Sequence, residues 1–155
     1  MEGRSFLDES GDAPLWDLTI QYGEDGDRAF RGHRVIFISK SKSFANALQS
    51  EKSGKHKDVI RFFGDDSFAL EQMFEYFYSC EYSYNKHPAM FEDISVAEIA
   101  DKYDAAELRS HACRQMTKNF LVWAMKVKHD TATTNDFTEF IKKAYGVVVD
   151  IRIAS

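Results

Sequence analysis

Trp16-Asp17-Leu18-Thr19-Ile20-Gln21-Tyr22, then Gly23-Glu24-Asp25-Gly26-Asp27, then Ala29-Phe30-Arg31-Gly32-His33-Arg34-Val35-Ile36-Phe37-Ile38 running into Ser43-Phe44, is the most informative run of this chain. Trp16, Leu18, Ile20 and Tyr22 alternate with Asp17, Thr19 and Gln21, so one face is apolar and the other polar, as in a half-buried strand. The Gly/Asp run tolerates positive φ and lets the chain reverse within a few residues, which predicts a β-hairpin. The second strand passes directly into helix. Val35, Ile36, Phe37 and Ile38 are expected to form a short buried helix, and Phe44, Ala45, Ala47 and Leu48 to line one face of the next.

Downstream, Glu51 to Lys57 is a polar, Lys-rich loop. Val59-Ile60-Arg61-Phe62-Phe63 predicts a core strand, ended by the turn Gly64-Asp65-Asp66-Ser67, whose last polar residues can cap a helix. In that helix Leu70, Met73, Phe74, Phe77 and Tyr78 form a wide apolar stripe. Ser95-Val96-Ala97-Glu98 matches a capping box and predicts a helix start, with Val96, Ile99, Ala100 and Tyr103 on one face. Leu108, Ala112, Met116 and Phe120 then recur every four residues. Thr131 to Asn135 is a polar break, and Phe137, Phe140, Ile141, Ala144 and Tyr145 predict one more amphipathic helix before Gly146. Val147 to Ile153 reads equally as strand or disordered end. The pattern is α+β, three short strands enclosed by helices. Residues 1–14, acidic with Gly3, Gly11 and Pro14, read as a loose tail.

At 155 residues the chain suits one domain with a small appendage and can bury a substantial core. Its 44% apolar and 14% aromatic content lies well above that of a disordered chain, so it should fold. A net charge of -5 argues against nucleic acid or anionic lipid as direct ligands. Two cysteines, Cys80 and Cys113, fall far apart in stretches that read as helical, and two reduced, packed thiols are expected. The N-terminus lacks the apolar core of a signal peptide, and no apolar run spans a bilayer. An intracellular protein, cytoplasmic and/or nuclear, is expected.

The order of these features resembles the BTB, or POZ, domain family. The matching landmarks are Asp17-Leu18-Thr19-Ile20, Phe30 to Arg34, Ser41 to Leu48, Val59 to Phe62, Met73 to Ser79, and Ile99-Ala100-Asp101-Lys102-Tyr103, together covering about residues 15 to 120. The resemblance implies a three-stranded sheet capped by short helices, and a protein-interaction module with no catalytic residues to carry over. It divides the chain into a tail (1–14), a BTB domain (15–120) and a C-terminal helical extension (121–155) like that of many small fungal members. It also implies three roles: homo-oligomerisation, recruitment of a cullin ubiquitin ligase scaffold, and recruitment of transcriptional corepressors. Ligase adaptors usually carry a hydrophobic-x-Glu pattern before the third strand, where this chain has Lys52-Ser53-Gly54, which puts cullin binding in doubt. Swapped homodimers use a long N-terminal helix and strand that residues 1–14 are too short to supply. Transcriptional members usually append zinc fingers, and none occurs here. In those members an acidic residue of the first strand and a basic residue near the junction share a charged pocket, to which Asp17 and Arg34 correspond; a stabilising ion pair explains them equally well.

The residues offer little catalytic chemistry. His33, His56, His87, His111 and His129 show no ligand spacing, so neither metal nor cofactor is expected. His33, between Gly32 and Arg34, is read as structural, locking the turn by hydrogen bonds, and Trp16 and Phe44 as structural apolar positions. Asp65-Asp66 precedes a helix, where negative charge offsets the helix dipole. Between Glu107 and Asp130 there is no acid, while Arg109, Arg114, Lys118, Lys126 and Lys128 occur; a solvated face is the first reading and a dock for an acidic partner the second. The remaining alternative class, a small enzyme using Cys80 or Cys113 with a histidine, lacks an orienting third residue.

Overall fold

The computed structural model describes residues 16–49, 59–84, 89–126, 138 and 140–142. Strands β1 (Leu18–Tyr22) and β2 (Arg28–Gly32) form the hairpin; α1 (Arg34–Lys40) and α2 (Lys42–Gln49) follow, then β3 (Val59–Arg61), α3 (Ser67–Ser79), α4 (Ala89–Lys102) and α5 (Ala106–Lys126). The sheet order is β2-β1-β3. β1 pairs antiparallel with β2, setting Leu18 opposite Gly32 and Ile20 opposite Phe30, and parallel with β3, setting Ile20 opposite Ile60. Leu18, Ile20 and Tyr22 are buried while Thr19 and Gln21 are only partly so, the alternation that puts one strand face on a core. The reversal between β1 and β2 uses Gly23 and Gly26, both at positive φ.

Phe37 is the hub of the interior. It is fully buried and meets Phe44, Phe77, Phe74 and Phe30 at ring-centroid distances of 5.0, 5.3, 5.7 and 6.0 Å. Val35, expected inside with it, is instead 70% exposed. Four consecutive residues of a helix point around its whole circumference, so a helix lying on a core can bury only part of the run Val35 to Ile38. Ala47 likewise faces outward from α2, and Phe63, beyond the end of β3, is 55% exposed. Phe62 extends the ladder by one bond, its N–H donating to the Gln21 carbonyl at 2.8 Å.

Gly32 has no room for a side chain. A Cβ there would lie 2.8 Å from the Phe37 ring, 2.9 Å from the Phe30 ring and 3.0 Å from the Tyr78 hydroxyl. All three belong to one tightly packed cluster, so none can yield independently. Gly32→Ala should therefore cost about 1–3 kcal/mol through overpacking; an unshifted urea midpoint would contradict it.

α3 begins as its sequence predicts. The Asp66 carboxylate accepts from the N–H groups of Phe68 and Ala69, filling two orphan donors of the first turn. Asp65, read with it as a dipole partner, turns instead to α4, where it accepts from the Lys102 ammonium and from the Tyr103 hydroxyl at 2.6 Å. Leu70, Met73, Phe74 and Phe77 are buried, and the helix ends at Cys80 in the left-handed region.

α4 departs from expectation. Ser95 does not cap it: the helix already starts at Ala89, so Ser95 and Glu98 lie in its interior. Met90 and Ile94, one turn apart and both buried, carry the apolar face a turn farther back than Val96. α4 and α5 form an antiparallel hairpin closed by Asp104 at positive φ, whose N–H donates to Asp101, while the Ala105 N–H donates to Ala100. Ser41 ties α2 to this turn, donating its hydroxyl to the Tyr103 carbonyl at 2.5 Å and accepting from the Phe44 N–H.

α5 continues through Phe120 to Lys126. Of the stripe expected beyond it, Phe140 is buried and stacks on Phe120 at 4.8 Å with an edge contact to Phe91, whereas Ile141 is 44% exposed. Phe137, Ala144 and Tyr145 lie outside the described residues, as do the tail, the loop holding Lys52, Ser53 and Gly54, and residues 147–153.

Candidate interaction site at the strand-to-helix junction

The end of β2 and the start of α1 bring the sequence-predicted residues together. The Arg34 N–H donates to Asp17 Oδ1 at 2.6 Å, and the Asp17 N–H donates to the Gly32 carbonyl at 3.2 Å. The acidic and basic positions are thus neighbours, and the contact runs through the main chain of Arg34. Asp17 takes up an orphan donor at the start of α1, work that no side-chain bond from the N-cap His33 performs. Next to them the Arg31 guanidinium lies 4.8 Å from the Trp16 ring centroid, a cation–π contact that holds partly buried Trp16 at the edge of the sheet. With exposed Val35 these residues make one mixed apolar and charged surface. Phe44 is at the opposite extreme, buried among Phe37, Phe62, Phe77 and Tyr103.

At the junction both the main chain and the ring of His33 meet the hydroxyl of Tyr78 on α3. The His33 N–H donates to the Tyr78 hydroxyl at 2.8 Å, and that hydroxyl lies 3.0 Å from His33 Nδ1. Both contacts are satisfied if Tyr78 donates to an unprotonated Nδ1. Tyr78 was expected on the apolar stripe of α3; it is 40% exposed, its ring still meets Phe30 and Phe37, and its hydroxyl is spent on His33. Burial pushes its phenol above the ordinary range, with the His33 N–H pulling the other way. Tyr78→Phe should therefore cost about 1–2 kcal/mol because it strands a main-chain donor, while His33→Ala keeps that bond and should cost less than about 1 kcal/mol. Equal losses in chemical denaturation would refute this ordering.

A second polar cluster sits between the chain entering α4 and α5. Asp93 is fully buried and accepts from Tyr82 at 2.6 Å, Tyr84 at 3.0 Å and Asn119 at 2.8 Å. Burial pushes its carboxyl up, and the three donors pull it back. The Tyr84 phenol is raised to about 12, first by burial and then by the Asp93 charge. His111 packs against the rings of Tyr76 and Tyr82. Among the described residues no group of His, Cys, Asp and Glu could hold a metal ion, and no helix is long and apolar enough to cross a membrane.

Both cysteines are free thiols, but only Cys113 is packed; Cys80 is exposed at the end of α3. A residue at a helix C-cap projects past the last turn, so the helical stripe no longer governs its burial. Desolvation raises the Cys113 thiol, the reverse of what a nucleophile needs.

A small sheet of order β2-β1-β3 wrapped by helices defines an α+β domain. Residues 7–120 match the family model of the BTB/POZ domain, and the chain belongs to that family. The fold is also that of solved BTB domains. That of human gigaxonin is 15% identical at a TM-score of 0.50, covering 64% of this chain and 76% of that one. That of zebrafish PATZ1 is 10% identical at a TM-score of 0.52, covering 67% and 77%. No curated protein compared with the sequence matches it. As a BTB domain the chain is a protein–protein interaction module.

Proposed function

We propose that this protein acts as a non-enzymatic scaffold or adaptor that holds a protein partner inside the cell, in the cytoplasm and/or nucleus. Residues 15–120 are the module, 1–14 a tail and 121–155 an extension that steadies it. The observation that supports this reading most is the match to the BTB/POZ domain over residues 7–120. The surface holding Asp17, Arg34, Trp16 and Val35 is the first candidate contact, and His33 keeps its shape. Affinity capture from the source cell with mass spectrometry tests the reading. A partner recovered by the wild type and weakened by Asp17→Ala with Val35→Ser is expected; recovery of nothing above background would overturn it. If neither Cys80 nor Cys113 reacts with a thiol probe at neutral pH faster than free cysteine does, the cysteine-enzyme alternative falls.

Among adaptor roles, cullin recruitment is disfavoured by Lys52-Ser53-Gly54. A lysine where an apolar anchor would fill a pocket adds a desolvation cost, and glycine offers no carboxylate. Loss of about 3 kcal/mol weakens binding roughly a hundredfold. Calorimetry with a cullin N-terminal domain should show no tight complex, and a sub-micromolar affinity would reverse that reading. Lys52→Met with Gly54→Glu should restore binding if this loop is the only defect. A corepressor-recruiting role remains open to the same capture experiment.

A further inference from the structure

α5 has two unlike faces over its 21 residues. Leu108 and Ala112 are buried, and Met116, Phe120 and Trp123 pack against the core. On the other side Glu107, Ser110, Arg114, Lys118, Leu121 and Met125 follow at steps of three and four, and all are exposed. Such steps draw one narrow line along a helix, roughly 25–30 Å long at 1.5 Å per residue.

This line changes character along its length. At its N-terminal end it borders a shallow groove floored by Tyr76 and Ala106. The Glu107 carboxylate there is met by the Lys40 ammonium at 2.8 Å, and among the described residues the Arg114 charge beside the groove is left without a carboxylate partner. Arg114 and Lys118 have no ion-pair partner among the described residues, whereas Arg109, off the line, is paired with Asp101. The chain as a whole carries -5, yet no acidic residue occurs between Glu107 and Asp130. One turn past the cations the line becomes apolar, with Leu121 55% and Met125 66% exposed and Val122 at their side. Clustered exposed apolar side chains beside charges of one sign select a partner with both features.

We propose that this line is the docking surface for an acidic amphipathic segment of a partner protein, with carboxylates on Arg114 and Lys118 and apolar side chains on Leu121 and Met125. The proposal rests on the reading of the chain as an interaction module and names the chemistry of the partner. An amphipathic helix laid along α5 matches the spacing, since both present side chains at three and four residues. The uncompensated cations exclude a basic segment of the same apolar pattern, and the exposed apolar end gives a purely electrostatic ligand no place to bury surface.

The test uses the full chain and two labelled synthetic peptides of about four helical turns. One has leucines at three-and-four spacing with glutamates between them; in the other every glutamate is lysine. The acidic peptide should bind, more weakly as salt rises, and the basic one should not. Arg114→Glu with Lys118→Glu should weaken the acidic peptide at least about tenfold and admit the basic one. Leu121→Ser with Met125→Ser should weaken it comparably with less change in salt dependence. All four side chains are exposed, so unchanged thermal melting is expected to accompany each loss. Equal binding of both peptides, or indifference to both variant pairs, overturns the proposal. So does a concentration-dependent dimer in sedimentation that Leu121→Ser with Met125→Ser abolishes, or faster amide exchange in residues 143–155 of that variant, which would give the line to a second copy or to the chain's own end. If the peptide fails while cellular capture of a partner persists undiminished in the four-fold variant, this surface is wrong and the module reading stands. If the wild type itself captures no partner above background, the scaffold reading falls as well.

Discussion

Phe37→Ala should be among the most damaging single substitutions in this protein, costing about 3–5 kcal/mol, as large aromatic-to-alanine changes in cores do. The ring contributes at once to the sheet, α1, α2 and α3. It meets Phe30 of β2, Phe44 of α2, and Phe74 and Phe77 of α3. Each neighbour is held by other partners: Phe74 by Tyr22 at 5.5 Å, and Phe44 by Phe62 at 5.5 Å and Tyr103 at 5.8 Å. The cavity therefore cannot collapse by moving one side chain, which places the cost toward the upper end of the range. For a domain of this size the melting temperature should fall by roughly 6–20 °C. Phe37→Leu keeps most of the volume and should cost roughly half as much or less. A loss below about 1 kcal/mol for the alanine variant would mean that the cluster does not carry the fold.

The second large effect is expected at Asp93. Removing its carboxylate leaves the donors of Tyr82, Tyr84 and Asn119 without their acceptor in a largely dry site. Asp93→Ala should cost about 3 kcal/mol, most of it the penalty of stranded donors and not the loss of a favourable charge. Asp93→Asn keeps one oxygen for the tyrosines, and Asn119 can turn its own oxygen toward the new amide. It should cost only about 1 kcal/mol. The pH dependence separates charge from geometry. Burial raises the Asp93 carboxyl in the native state, so between the ordinary value of 3.8 and the native value the folded chain holds more protons than the unfolded one. Stability contributed by this group is then fully present below the ordinary value and is lost as pH rises through the native one. Wild type should thus gain on Asp93→Asn as the solution is acidified from neutrality toward pH about 4. A difference between the two urea-melt curves that stays flat over that range would contradict the assignment. Glu107 acts in the opposite sense, since the Lys40 ammonium lowers its carboxyl, and it is common to both proteins.

These two sites differ in how visible they are before folding. Phe37 sits in an apolar run after a strand, and any helix placed there must bury something of it. Asp93 lies in Phe91-Glu92-Asp93-Ile94-Ser95, which looks like a polar entry to a helix, and the Ser95-to-Glu98 capping pattern reinforces that impression. α4 instead begins at Ala89, and Asp93 is carried inward because α5 packs along the whole helix and Tyr82, Tyr84 and Asn119 arrive from elsewhere in the chain to satisfy it. A capping motif states only which backbone donors a side chain can reach, and that condition is also met by chance inside a helix.

The alternation of residues 16–22, the Gly/Asp reversal, the Asp66 cap and the stripe Leu70, Met73, Phe74, Phe77 determine hairpin, helix and core by themselves, because each depends on neighbours within four residues along the chain. Their order is enough to bring out the BTB resemblance. Tertiary structure alone decides that the Tyr78 hydroxyl meets His33 across 45 residues, that Asp65 leaves the helix it precedes for Tyr103, that Lys40 neutralises Glu107 across 67 residues, and that Val35 faces outward. The reason is physical. A polar group is tolerated inside, and an apolar one left outside, according to which partner reaches it, and the partners here come from segments whose local patterns carry no mark of the meeting.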